Sequence, residues 1–165
     1  MSEVHERKRE EVPALTKFRT LAKDIDAEAT RVAANVITKH YRFVIGVQMA
    51  EAANELAELA DESFEHYPSS ALAAHDRKKC YSEAIAKAKT VKRLANKAQK
   101  LKVAKAESYK TLISSADEFI NIARGLKKSV RVKGVESVDD AIAWHLAEIE
   151  ALESLNALQS GDVAL

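Results

Sequence analysis

Apolar residues recur at intervals of three and four along most of the 165-residue chain, the spacing of helices that bury one face. Leu15, Phe18, Leu21, Ala22, Ile25 and Ala29 predict a first helix over residues 14–37. A turn at 38–41 leads into a second helix over 42–66, marked by Met49, Ala50, Ala53, Leu56, Ala57, Ala60 and Phe64. The stretch Tyr67-Pro68-Ser69-Ser70 is the clearest break, because proline disfavours helix at itself and at the residue before it. A third helix is expected to open between Ala74 and Asp76. Its Cys80, Ala84, Ala88, Val91, Ala95 and Ala98 form a narrow face of small side chains that a neighbour can approach closely. The fourth helix has the best amphipathic stripe: Tyr109, Leu112, Ile113, Ala116, Phe119, Ile120, Ala123 and Leu126.

The ends are less regular. Residues 1–12 are charge-dense and expected to be frayed or only partly helical, with Pro13 in the first turn of the helix that follows. No proline or glycine separates the third and fourth helices, so composition alone allows one rod over 76–129, roughly 80 Å long. A turn is placed near 101–104 instead. Gly125 is expected inside the fourth helix and Gly134 beyond it. Ser137-Val138-Asp139-Asp140 resembles a capping box opening a fifth helix, with Ile142, Leu146, Ile149, Leu152 and Leu155 as its apolar positions.

Composition narrows the class. Four glycines, two prolines and abundant alanine argue for an all-α chain and against a turn-rich β sandwich or barrel. No apolar run approaches the ~20 residues of a bilayer span, and the charged start lacks the apolar core of a secretion signal. The single cysteine, Cys80, excludes a disulfide framework and fits a reducing cytoplasm. No membrane association and a cytoplasmic location are therefore expected.

Familiar catalytic patterns are missing. There is no glycine-rich phosphate loop. A di-iron bundle needs Glu-x-x-His pairs, yet Ser2, Ile37, Ser63, Leu72 and Ile142 stand three before His5, His40, His66, His75 and His145. Glu62 and His66, one turn apart, are read as a surface hydrogen bond, Cys80 as a small packed hydrophobe and Trp144 as a packing anchor. The expectation is a protein that is not an enzyme, with no catalytic residue, no metal and no cofactor.

Charge changes the picture. The formal net charge of +1 conceals −5 over residues 1–76, +13 over 77–134 and −7 over 135–165. On a helical wheel Lys78, Lys79, Lys89, Lys92, Arg93, Lys97 and Lys100 fall within roughly 140°, opposite the small apolar face. Like charges at this spacing repel by a few tenths of a kcal/mol per pair, so something should offset them. Glu51, Glu55, Glu58, Asp61, Glu62 and Glu65 crowd a comparable arc of the second helix. Three explanations stay open: the basic stripe faces nucleic-acid phosphates, it pairs with the acidic stripe within or between subunits, or both are solvated faces. Tyr81 and Tyr109 are the nearest candidates for base stacking, too few for base-specific reading.

Four stretches, in order, carry a resemblance: RKREEVPALTKFRTLAKDI, KHYRFVIGVQMAEAANELAELADE, RKKCYSEAIAKAKTVKRLANKAQKL and SADEFINIARGLKKS. Over residues 7–131 the chain resembles the four-helix-bundle proteins of the accessory variability determinant of diversity-generating retroelements, and the related ribosomal intervening-sequence proteins. It departs from them at Leu126, where relatives often carry tryptophan, and in the acidic extension after Gly134. The resemblance implies an antiparallel up-and-down four-helix bundle over 13–131, behind a charged segment (1–12) and before an appended acidic C-terminal helix (132–165). It further implies a homo-oligomer, pentameric in the family, that binds RNA or DNA and the element's reverse transcriptase. Carried over, the nucleic-acid-binding surface would be Arg77, Lys78, Lys79, Lys89, Lys92, Arg93, Lys97 and Lys100 with Arg124, Lys127, Lys128 and Arg131. The alternative is a helical adaptor whose acidic and basic stripes mediate protein–protein assembly.

Overall fold

The computed structural model describes residues 2–103, 107–132 and 138–160, and every long element in them is an α-helix: α1 (Ser2–Asn35), α2 (Val47–Glu65), α3 (Ala71–Lys100), α4 (Glu107–Ser129) and α5 (Val138–Ser160). No strand occurs among the described residues. The expected all-α class is therefore correct, and several boundaries move. α1 starts at Ser2 and runs through Pro13, which lies inside the helix and not in its first turn. Pro13 is exposed, so water can take the carbonyl that its missing N–H leaves unpaired, and the surrounding Glu, Lys and Arg are good helix formers.

The first corner comes slightly earlier than expected. The amides of Val36 and Ile37 both donate to Val32 O at 3.0 Å, closing α1, and Ile37 is buried beneath the corner. A single helical turn, Lys39–Tyr41, and a π-helical turn, Arg42–Gly46, then lead into α2. Gly46 is buried against Ala33 of α1, where a Cβ would stand 3.4 Å from it, at the near edge of ordinary van der Waals contact.

α3 opens three residues or more before its expected start because Ser70 caps it: its Oγ accepts from Ala73 N at 3.1 Å. The single-rod alternative is excluded. Lys102 adopts a left-handed φ of 53°, its amide donates to Gln99 O at 3.0 Å, and Val103 N donates to Ala98 O at 3.2 Å. These two bonds are those of a Schellman motif, completed by the burial of Val103. The turn lies where expected, with Ala104 outside the described residues. Gly134 and Ser137, the first residue of the proposed capping box, also fall outside the described residues.

α1 packs on α2 and α4, α2 also on α3, α3 also on α4, and α5 lies against α3. The four helices share one core. Phe18 stacks on Phe119 at 4.8 Å and meets Tyr81 edge-on at 5.4 Å, while α2 and α3 bring in the buried alanines Ala53, Ala60, Ala84, Ala88, Ala95 and Ala98. Every apolar position expected for the first four helices is buried or half-buried.

The fifth helix differs. Ile142, Leu146, Ile149 and Leu152 are exposed, whereas Trp144 is buried and Glu148, Ala151 and Leu155 are half-buried. At 100° per residue the Trp144 set lies nearly opposite Ile142, Leu146 and Ile149, so α5 has two apolar flanks and turns the weaker one inward.

Lys102→Gly removes the Cβ strain of the left-handed turn and should stabilise the chain by about 1 kcal/mol in urea unfolding; destabilisation would contradict the cap geometry.

Candidate nucleic-acid interface

α3 is the platform. Cys80, Ala84, Ala88, Val91, Leu94, Ala95 and Ala98 are buried, and this fixes the helix's rotation so that its cations face away from the core. The twelve expected basic residues then fall into distinct environments. Lys89, Arg93, Lys97 and Lys100 are exposed and, among the described residues, have no carboxylate at ion-pair distance. They border an open groove with Lys92, Asn96 and Leu101. Lys92 is half-buried, and its Nζ donates to Asp117 of α4 at 2.6 Å. Lys79 stands 4.0 Å from Glu83 on its own helix.

At the other end of the stripe the surface is partly covered. Lys78 pairs with Glu148 of α5 at 3.5 Å and sits 4.7 Å from the Trp144 ring centre, a cation–π contact. Trp144 is thus the packing anchor that was expected. Arg77 is half-buried: its Nε donates to the Tyr81 hydroxyl at 3.0 Å. Arg131 donates through Nη1 to Lys128 O at 2.8 Å and Val130 O at 2.9 Å, capping the end of α4. Arg124, Lys127 and Lys128 are exposed on α4 and line a second groove with Lys78, Ser82, Ile85 and Arg131. The two grooves follow one flank of α3 over the 22 residues between Lys78 and Lys100, about 33 Å.

One expectation is corrected. Tyr81 and Tyr109 are buried in the core, 1% and 0% exposed, and cannot stack on bases. Tyr81 meets Phe18 edge-on and its hydroxyl accepts from Arg77, while burial raises the Tyr109 hydroxyl above its usual value. Of the explanations left open, pairing of the acidic stripe of α2 with the basic stripe of α3 within one chain does not occur among the described residues. Glu55 pairs with Lys87, Asp61 with Arg19 of α1, and Glu58 accepts from Asn54 at 2.8 Å. None of those three partners belongs to the basic stripe, which lies on the other flank of the helix.

The structure also brings together residues that the sequence kept apart. The ligand atoms of Glu62, His66 and Cys80 all lie within 4.8 Å of one another. His66 Nε2 and Glu62 Oε1 are 3.6 Å apart, beyond hydrogen-bond reach, so the expected surface hydrogen bond is not formed. Cys80 is buried, and burial, with the charges of Glu62, Glu83 and Asp76, pushes its thiol up to about 11. The signal in the sequence was the Glu62–His66 spacing; Cys80 comes from the next helix, across the loop, where no single-helix spacing reveals it.

No helix among the described residues is long and apolar enough to cross a membrane. No family model, curated protein or solved structure matches the chain.

The raised Cys80 value has a sign. The unfolded chain sheds its thiol proton near pH 9 and the folded one near 11, so stability falls as pH rises through that window. In urea unfolding, the wild type should lose more stability than Cys80→Ala between pH 9 and 11. Burial also raises the Tyr109 hydroxyl, which adds the same loss to both proteins at higher pH. Identical pH profiles would contradict a desolvated Cys80.

Proposed function

We propose that this chain is a non-enzymatic accessory protein that binds RNA or DNA through the basic flank of α3 and assists a reverse transcriptase of a diversity-generating retroelement. One observation carries the reading: Lys89, Arg93, Lys97 and Lys100 are exposed without a carboxylate partner among the described residues. A row of like charges with nothing to offset it is relieved when phosphates displace its surroundings and release counterions. With both tyrosines buried, contact is to the sugar-phosphate backbone and its shape, not to base faces.

The order and neighbours of α1 to α4 are consistent with an antiparallel up-and-down bundle, and the sequence resemblance supports that arrangement in a cytoplasmic homo-oligomer, a pentamer by analogy. Apolar surface for subunit contacts is present. Phe43 is 77% exposed at the α1–α2 corner, and Ile142, Leu146 and Ile149 form the outer flank of α5. In this reading Arg124, Lys127 and Lys128 widen the phosphate surface, whereas Arg77, Lys92 and Arg131 serve mainly the fold. Among the described residues, α5 competes with the polyanion for Lys78.

The combined variant Lys89→Glu, Arg93→Glu, Lys97→Glu and Lys100→Glu should weaken RNA binding by at least about a hundredfold in a filter assay, with its helical circular dichroism intact. Unchanged affinity would remove these residues from the interface. Dissociation of an oligomer by the same variant, without any RNA binding by the wild type, would favour assembly through charged stripes.

A further inference from the structure

The base of the α2–α3 hairpin holds a second arrangement, independent of the basic flank. Glu62 lies in the last turn of α2 and His66 is the residue that ends it, and the ligand atoms of both lie near that of Cys80 on α3. We propose that Glu62, His66 and Cys80 bind a divalent cation of the zinc class, tying the end of α2 to α3.

The donor set selects the ion. One carboxylate oxygen, one imidazole nitrogen and one sulfur suit zinc, whereas magnesium and calcium take oxygen ligands. Zinc bonds of 2.0–2.3 Å set tetrahedral ligand atoms roughly 3.4–3.6 Å apart. The three ligand atoms here lie within 4.8 Å, so side-chain motion of about an ångström closes the set. Glu62 and His66 stand 3.6 Å apart, at ion-pair distance but beyond hydrogen-bond reach, and a cation between them would replace that contact with two metal bonds.

Burial and access are graded. Cys80 is buried, His66 half-buried and Glu62 exposed, which gives an ion a path from solvent to the sulfur. Asp76, one turn before Cys80, and Glu83 add negative charge to the same region. On binding, the Cys80 S–H bond breaks, the proton leaves to water, and the sulfur's electron pair forms the bond to the metal. Three protein ligands leave a fourth position for water.

The test uses the full chain stripped with a chelator, then dialysed separately against zinc(II) and cobalt(II). One zinc per chain should be retained, and the cobalt form should show a thiolate-to-cobalt charge-transfer band. Cys80→Ser should abolish the band, and both Cys80→Ser and His66→Gln should weaken zinc binding by at least about tenfold, with helicity unchanged. Glu62→Gln, at the exposed end of the set, supplies the same affinity test if either of the others fails to fold. No retained zinc, a cobalt spectrum without the thiolate band, or affinity indifferent to the substitutions overturns the proposal.

Discussion

The rotation of α3 about its own axis governs the rest of this structure. Its buried face is mostly small residues, Ala84, Ala88, Ala95 and Ala98 with Cys80 and Val91, which bring neighbouring helices close, with Tyr81 and Leu94 as its two large buried side chains. A rotation of even one residue position, 100°, would push lysine into that packed seam and expose alanine. Close packing therefore presents the cations outward whether or not a partner is present. Burial on one side fixes where charge accumulates on the other.

The molecule relieves that charge unevenly. Asp117 of α4 takes Lys92 and Glu148 of α5 takes Lys78, while Glu55 of α2 spends its charge on Lys87 at the opposite flank. These exposed or half-exposed pairs contribute modestly, ~0.2–1 kcal/mol each. The same rotation that frees Lys89 and Arg93 turns Cys80 toward the end of α2, next to His66. α3 thus has two separate chemical flanks, a basic one along its length and a mixed sulfur, nitrogen and oxygen set near its start.

Much of this was legible in the residues. The period of three and four located the four core helices, and the wheel of α3 placed Lys89, Arg93, Lys97 and Lys100 on one side without any coordinates. What escaped has physical causes. The turn near 101–104 was legible, but its left-handed cap at Lys102 was not, because it lacks the glycine that usually marks one. Pro13 reads as a helix start, although exposed proline with strong helix formers around it can sit inside one. Tyrosine suits both core and surface, and periodicity places Tyr81 and Tyr109 on a face without saying how deep they lie. α5 carries apolar residues on two flanks, and only packing decides which turns inward. A ligand set divided between two helices is invisible to spacing along either one.

The claim that the outward flank of α3 is a phosphate-binding surface is tested most directly by titrating salt against the affinity of the wild-type chain for single-stranded RNA. Engagement of Lys89, Arg93, Lys97 and Lys100 alone predicts a log–log slope of about −3, from roughly −0.7 per phosphate neutralised, and contacts by Arg124, Lys127 and Lys128 would steepen it. A slope near zero, or no binding at low salt, would show that the flank is only a solvated surface.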